Sequence, residues 1–169
     1  MKLYLLRHGV AVARGTPGCR DEDRPLTKDG AEEMALEARG IRKLVLGFDA
    51  IVTSPLKRAN DTAHIVAQAF GSGEKVKELA GLAPGGKISE IQTYIERFHS
   101  CQRVLLVGHE PHLGSLIAAL LSVKQPPVEL KKGGLCLVRM ESGPLKNRPT
   151  IGWLLTPRML RRLGRRSRG

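Results

Sequence analysis

The hydrophobic residues of this chain form short continuous runs that are separated by longer segments of helical spacing. Runs of four or five mostly apolar residues occur at Lys2–Leu6, Ala50–Thr53 and Arg103–Val107. Such runs are typical of strands that are buried on both faces. Two later runs, Leu135–Arg139 and Thr150–Leu155, predict strands that close the sheet.

The segments between these runs carry apolar residues mostly at steps of three and four, which places them on one face of a helix. The four stripes are Ala31, Met34, Ala38, Ile41 and Val45; Leu56, Ala59, Ala63, Val66 and Phe70; Ile88, Ile91, Ile95 and Phe98; and Leu113, Leu116, Ile117, Leu120 and Leu121. Alternating strands and helices predict an α/β fold, a single domain with a mainly parallel sheet and helices on both faces. For the last two strands, an antiparallel hairpin around Ser142–Pro149 is one arrangement.

The composition is that of an ordinary globular domain, with 41% hydrophobic and 26% charged residues among 169. It excludes a collagen-like, disordered or coiled-coil chain. The longest nearly apolar stretch, Leu113–Val123, is shorter than the ~20 residues that a membrane span needs. The apolar run at the N-terminus is too short for a signal peptide. We therefore expect a cytoplasmic monomer that does not associate with membranes.

The net charge of +12 is distributed unevenly, because residues 158–169 hold six arginines and no acid. We therefore predict a domain at residues 1–157 and an Arg-rich C-terminal tail at residues 158–169. A basic tail could bind nucleic acid, membrane phosphates or an acidic partner. This one lacks the aromatic residues that would stack on bases. We expect a solvated, partly disordered end and no nucleic-acid partner.

The cysteines and a histidine pair do not support a metal site or a cysteine nucleophile. Cys19, Cys101 and Cys136 are odd in number and scattered, which indicates reduced thiols. Cys19 and Arg24 are separated by four residues, one fewer than a cysteine phosphatase loop needs, and those residues are largely acidic. The segment 109–112 lacks the second histidine that a zinc helix carries four places after the first. We expect no metal.

Polar residues directly follow three of the predicted strands. In a parallel α/β sheet, ligands bind beyond the carboxyl ends of the strands, so these residues are expected to converge. They are Arg7-His8-Gly9 after the first strand, Ser54-Pro55-Leu56-Lys57-Arg58 after the second, and Gly108-His109-Glu110-Pro111 after the third. Ser54 is a good helix N-cap and Pro55 suits the first helical position, so Arg58 should lie about one turn into a helix.

Two arginines and two histidines around one point predict an anion site that can perform chemistry. Arg7 and Arg58 can hold phosphate oxygens bidentately and stay charged. A neutral imidazole, from His8 or His109, can attack phosphorus while the cations stabilise the equatorial oxygens. Each piece alone is commonplace, but the combination after three strands is hard to obtain by chance.

The motifs resemble those of the histidine phosphatase superfamily, which includes the phosphoglycerate mutases. The matching segments are Leu6-Arg7-His8-Gly9, Thr53-Ser54-Pro55-Leu56-Lys57-Arg58-Ala59 with Thr62-Ala63, and Val107-Gly108-His109-Glu110-Pro111. Arg24-Pro25-Leu26-Thr27, the stretch Glu78–Gly86 and the short length resemble the SixA-type phosphohistidine phosphatases. The resemblance covers residues 1 to about 163 and implies a phosphoglycerate mutase-like three-layer αβα fold.

The resemblance also implies site roles. His8 would be the nucleophile and become transiently phosphorylated, while Arg7, Arg58 and His109 would bind the phosphoryl group together with His8. His109 could also donate or position a proton. The superfamily uses no metal or organic cofactor, so we expect none here.

One departure from the superfamily pattern bears on the substrate. The mutases and sugar phosphatases carry a glutamate general acid on an insertion after the second motif, where this chain has only the short segment 71–86. Glu78 is the nearest acid there, and we expect it to be an exposed loop residue. Without a strong acid, a good leaving group is needed, and the imidazole of phosphohistidine is one. The short interval also implies an open site that suits a protein substrate.

Three functions stay open. The first is a phosphatase that removes phosphate from phosphohistidine on a signalling or phosphotransfer protein. The second is a phosphatase or mutase acting on small phosphate esters. The third is a non-catalytic anion- or nucleic-acid-binding module, which would not need a nucleophile.

Two groups of residues near the motifs have simpler interpretations. Asp21, Glu22 and Asp23 could contact a basic partner or assist proton transfer, and we expect a solvated acidic turn. His112 could line the rim of the site, and we expect an exposed helix residue.

Overall fold

The apolar runs of the sequence form one sheet in the computed structural model, which describes residues 1–72, 76–140 and 149–165. The strands are β1 Lys2–Arg7, β2 Ala50–Thr53, β3 Val76–Glu78, β4 Arg103–Gly108, β5 Leu135–Arg139 and β6 Thr150–Leu155. The helices are α1 Lys28–Arg42, α2 Lys57–Phe70, α3 Ile88–Glu96, α4 His112–Leu121 and α5 Pro157–Gly164, and a 3₁₀ turn spans Ala80–Leu82.

The sheet has the strand order β3-β2-β4-β1-β5-β6. Neighbouring strands from β3 to β1 run parallel, whereas β5 and β6 are antiparallel to their neighbours. The predicted α/β class is therefore confirmed, with a mixed sheet in which the short edge strand β3 was not predicted. Most of the predicted hairpin connection, residues 142–148, lies outside the described residues.

Alternate residues of the central strands face two hydrophobic clusters, one on each side of the sheet. In β1, Tyr4 and Leu6 face the cluster that contains buried residues of α1, α2 and α5. Leu3 and Leu5 face the other cluster, which contains buried residues of α3 and α4. Helices thus cover both faces, and the carboxyl ends of β1, β2 and β4 meet at one edge.

The expectation of a solvated C-terminal end is wrong for residues 158–164, which belong to α5. Thr156 caps this helix by accepting a hydrogen bond from the Met159 N–H, and Leu160 is fully buried. A Cβ on Gly164 would collide with the backbone of α1. The apolar residues of this segment fall on one helical face, and that spacing outweighs the charge of the arginines on the other. The division at residue 158 into domain and tail stays a prediction.

Two further findings concern the described residues. None of their helices is long and apolar enough to cross a membrane. The cysteines are free thiols, and burial raises the pKa of the Cys136 thiol to about 11. Cys136 is therefore a packing residue of β5 and not a reactive thiol.

Candidate active site

Parallel pairing of β1 and β4 brings the two motif histidines together. Arg7 is paired with Gly108 in the register, and the His8 N–H donates to the Gly108 carbonyl at 3.0 Å. The imidazole centroids of His8 and His109 are 4.9 Å apart. Both side chains are buried, with 7% and 3% of the residue exposed.

The hydrogen bonds of His8 identify its tautomer. Its Nδ1 lies 2.7 Å from the Gly9 carbonyl oxygen. A carbonyl can only accept, so Nδ1 carries the proton and Nε2 keeps a free lone pair. The Gly9 N–H donates to Thr62 Oγ1 at 3.0 Å, and the Thr62 hydroxyl donates to the Arg58 carbonyl at 2.8 Å. The turn after β1 is therefore tied to the first turns of α2.

The surroundings of His8 favour its neutral form. Burial lowers the pKa of His8 to about 4, and the charges of Arg58, Arg7 and Lys132 add to the shift while the hydrogen bond to Gly9 opposes it. An imidazole with this pKa is neutral at pH 7, with a proton on one ring nitrogen only. His8 is thus able to act as a nucleophile through Nε2.

The His109 imidazole contacts Ser54, the residue that directly follows β2. Its Nε2 lies 2.9 Å from Ser54 Oγ. Burial is the main cause that lowers the pKa of His109 to about 3, and the charges of His8 and Arg58 lower it further. Within the described residues its Nδ1 is buried without a hydrogen-bond partner, as are Nε of Arg7 and Nε of Arg58. Three of the four candidate site residues therefore present buried nitrogens that an anionic ligand could satisfy.

The segment after β2 differs from the predicted capping. α2 begins at Lys57 with Leu56 as its N-cap, and the N-cap side chain makes no hydrogen bond. Ser54 instead accepts the Leu56 N–H at 3.3 Å and contacts His109. Arg58 is consequently the second helical residue rather than one turn in. Its position still places the guanidinium near the positive end of the helix.

Asp21 lies at the site, so the expectation of a solvated acidic turn is wrong for this residue. Its carbonyl accepts from Arg58 Nη1 at 2.7 Å, and its carboxylate accepts from Arg58, Arg14 and Arg24. The hydrogen bond from Arg14 and the nearby cations hold the pKa of Asp21 below its usual range. The loop after β1 folds back over α2, and sequence spacing alone does not reveal that path. Glu22 is an exposed surface residue, paired with Arg20.

The other expected residues occupy varied positions. Glu78 is exposed, as expected, and accepts a hydrogen bond from Asn60, but it is the last residue of β3 and not a loop residue. His112 is half-buried, and its Nε2 donates to the Gly81 carbonyl at 2.7 Å. The expected free exposure of His112 is therefore wrong, because the 3₁₀ turn packs against the start of α4.

Sequence reasoning missed the loop between α4 and β5. Glu110 accepts the N–H groups of Leu130 at 2.8 Å and Gly114 at 3.1 Å. Arg7 Nη1 donates to the Leu130 carbonyl at 2.7 Å. The loop is thus fastened by two motif residues, and its Lys132 adds a positive charge near His8. The sequence shows that Lys132 is a cation, but no motif around it indicates that it lies near His8.

Comparisons with known proteins agree with this geometry. The family profile of the histidine phosphatase superfamily (branch 1) matches residues 3–84. The chain is 37% identical over 142 residues to an uncharacterized protein of Picosynechococcus, covering 82% of this chain and 85% of the relative. It is 26% identical over 159 residues to the phosphohistidine phosphatase SixA of Escherichia coli, covering 93% and 94%.

A solved structure is similar over almost the whole chain. The protein histidine phosphatase SixA complexed with tungstate superposes with a TM-score of 0.82 at 26% identity, covering 95% of this chain and 99% of that one. The chain belongs to the histidine phosphatase superfamily. The predicted resemblance to its SixA-type members and the phosphoglycerate mutase-like fold are confirmed.

Proposed function

We propose that this protein is a phosphatase that removes the phosphoryl group from phosphohistidine on a signalling or phosphotransfer protein. The observation that carries the proposal is the hydrogen bond from His8 Nδ1 to the Gly9 carbonyl. It leaves a neutral Nε2 lone pair beside His109 and Arg58 in a buried, cationic setting.

The proposed reaction has two transfers. His8 Nε2 attacks phosphorus, a new P–N bond forms, and the P–N bond to the substrate imidazole breaks. The leaving imidazole takes up a proton from solvent or a nearby group. Water then attacks the phosphorus of the phosphoenzyme, releasing inorganic phosphate and a proton and returning the lone pair to Nε2.

The remaining residues of the site stabilise the transferred group. Arg7 and Arg58 are the cations for the equatorial oxygens, on which charge develops in the transition state. His109 contributes Nδ1, the nitrogen that has no partner among the described residues. Asp21 orients Arg58 through its carbonyl and carboxylate oxygens.

The substrate class is inferred from the leaving group and the surroundings of the site. Between α2 and α3 the described residues form only β3 and the 3₁₀ turn, and Glu78 there faces Asn60. A protonated imidazole departs readily without a strong general acid. The similarity to a phosphohistidine phosphatase, and to a relative solved with the oxyanion tungstate, supports the same class.

A direct comparison of substrates tests the proposal. We expect the protein to dephosphorylate a phosphohistidine phosphotransfer protein much faster than phosphoglycerate or a sugar phosphate. His8→Asn should abolish the reaction, whereas His64→Asn, at an exposed position of α2, should not change it. Faster turnover of the small esters would instead favour a phosphatase or mutase that acts on small phosphate esters. Absence of both activities, together with salt-sensitive nucleic-acid binding, would favour a non-catalytic nucleic-acid-binding module.

A tungstate or phosphate soak tests the binding site itself. We expect the oxyanion between His8 and His109. The cytoplasmic location and monomeric state stay predictions.

A further inference from the structure

A buried carboxyl of α1 has no part in the proposed mechanism. Glu37 is 2% exposed, and its Oε1 accepts a hydrogen bond from Arg161 Nη1 of α5 at 2.5 Å. The same guanidinium lies 3.4 Å from Glu33, which is partly exposed. Burial raises the pKa of Glu37 to about 8, although Arg161 opposes the rise. An acid kept in such a place at an electrostatic cost is a candidate for a specific role.

The Glu37 carboxyl packs against a glycine of the loop before β5. A Cβ on Gly133 would lie 2.2 Å from Glu37 Oε2, so a larger residue at this position would force the carboxyl or the turn to move. Gly133 also has φ +79°, a left-handed conformation that favours glycine. The Gly134 N–H donates to the Lys131 carbonyl at 2.7 Å and closes a tight turn, Lys131–Gly134.

The Lys131–Gly134 turn holds the backbone of the candidate nucleophile. The Gly133 N–H lies 3.1 Å from the Arg7 carbonyl and 3.2 Å from the His8 carbonyl, and donates to both. In return, the Arg7 N–H donates to the Gly134 carbonyl at 3.1 Å. The turn also carries Lys132, an exposed cation whose charge acts on His8. A shift of this turn would therefore move both the His8 backbone and a charge near its imidazole.

We propose that Glu37, clamped by Arg161, is a positioning residue that seats the Lys131–Gly134 turn and thereby holds His8 and the Lys132 charge in their working places. The proposal rests on the proposed function only in taking His8 as the reacting residue. The alternative is a pair that merely fastens α5 to α1. That alternative predicts a loss of stability with no change at His8.

The titration of His8 distinguishes these roles without any assay of activity. The charged groups that act on His8 are Arg7, Arg58 and Lys132, and all lower its pKa. Releasing the turn in Glu37→Ala should move the Lys132 charge away and raise the pKa of His8. Glu37, with its pKa of about 8, is protonated at the pH where His8 titrates, so its removal takes away no charge and would not by itself raise that pKa. The sign of the shift thus identifies the turn as the cause.

The experiment follows the His8 imidazole of the full chain by ¹⁵N NMR across pH. We expect Glu37→Ala and Lys132→Gln each to raise the pKa on the order of half a unit, the effect of one partly screened charge. The double variant should shift no further than Lys132→Gln alone. Glu33→Gln is the matched control, because Glu33 also meets Arg161, and it should leave the titration unchanged.

Kinetics supply the second readout. In Glu37→Ala we expect kcat to fall on the order of tenfold with KM nearly unchanged, because a misplaced nucleophile slows the chemical step more than binding. The isosteric Glu37→Gln should restore both values. Failure of the proposed function would remove the kinetic readout and leave the NMR result standing.

Specific results overturn the proposal. One is a folded Glu37→Ala variant with the wild-type titration of His8, and another is a shift that persists in full when Lys132→Gln is already present. If Glu37→Ala does not fold, Glu37→Asp decides, because the shorter side chain keeps an acid but withdraws the carboxyl from Gly133. That variant should also raise the pKa of His8, and an unchanged value would contradict the proposal.

Discussion

The ionisation of His8 predicts an unusual pH dependence of activity. A histidine in water titrates near pH 6.5, but burial lowers the pKa of His8 to about 4. The difference of about 2.5 units corresponds to about 3 kcal/mol in favour of the neutral form. If neutral His8 is the nucleophile, kcat/KM should stay level from pH 7 down to about 5 and decline only near pH 4.

The same shift predicts how acid affects stability. The folded-state pKa of His8 lies below its unfolded value, so the folded chain binds fewer protons between the two values. The resulting contribution to the free energy of unfolding is fully present above pH 6.5 and is lost as the pH falls toward 4. His109, with a pKa lowered to about 3, contributes with the same sign.

The assay needs a substrate that survives acid, since phosphohistidine does not. A nitrophenyl phosphate, whose leaving group needs no acid, allows kcat/KM to be followed from pH 3.5 to 8 after correction for the ionisation of the substrate. NMR of the imidazole of His8 supplies the direct titration. In the urea-unfolded control the same residue should titrate near 6.5. An acid limb of kcat/KM centred near pH 6.5, with His8 protonated at pH 6 in the folded chain, would show that burial does not keep His8 neutral.

Three substitutions test the supports of the site. Thr62→Val removes the acceptor of the buried Gly9 N–H and should lower the free energy of unfolding by about 1–3 kcal/mol, as measured by denaturant titration. Ser54→Ala removes the contact with His109 and should lower kcat roughly fivefold to tenfold, the rate equivalent of one hydrogen bond of about 1 kcal/mol. Glu110→Ala frees the Leu130 N–H of the loop before β5 and the Gly114 N–H of α4, and should raise KM while lowering the unfolding midpoint.

Two of these substitutions have a matched comparison. Thr62→Ser keeps the hydroxyl and should stay close to wild type in stability. Ser115→Ala removes a hydroxyl from the exposed side of α4 and should leave kcat unchanged. A Ser54→Ala variant with the kcat of wild type would show that the Ser54 contact does not support His109 during the reaction. Wild-type KM in Glu110→Ala would contradict the role of Glu110 in holding the loop.

The meeting of the candidate site residues could be predicted because it depends on strand order alone. Apolar runs identified the strands β1, β2 and β4, and parallel strands in one sheet present their carboxyl ends at one edge. Arg7, His8 and His109 lie within one residue of such an end, so their convergence needed no knowledge of loops. The roles of these side chains in catalysis are not settled by that convergence and stay predictions.

The features that sequence reasoning missed depend on where loops run. Asp21 reaches Arg58 because the loop after β1 folds back over α2, and no periodic pattern encodes that path. Lys132 lies in a turn that is bonded to the backbone of Arg7 and His8 and packs against a buried acid of α1. The α5 helix was overlooked for a different reason. Six arginines suggested a solvated tail, although Leu160 and its neighbours have amphipathic spacing.

Trapping the covalent intermediate shows whether His8 is the residue that receives the phosphoryl group. The protein would be mixed with a ³²P-phosphohistidine phosphotransfer protein, quenched in base within milliseconds and mapped by mass spectrometry. We expect an acid-labile, base-stable phosphate on His8 that is absent in His8→Asn. Phosphate transfer that continues in His8→Asn, or a label that appears only on His109, would contradict this role of His8.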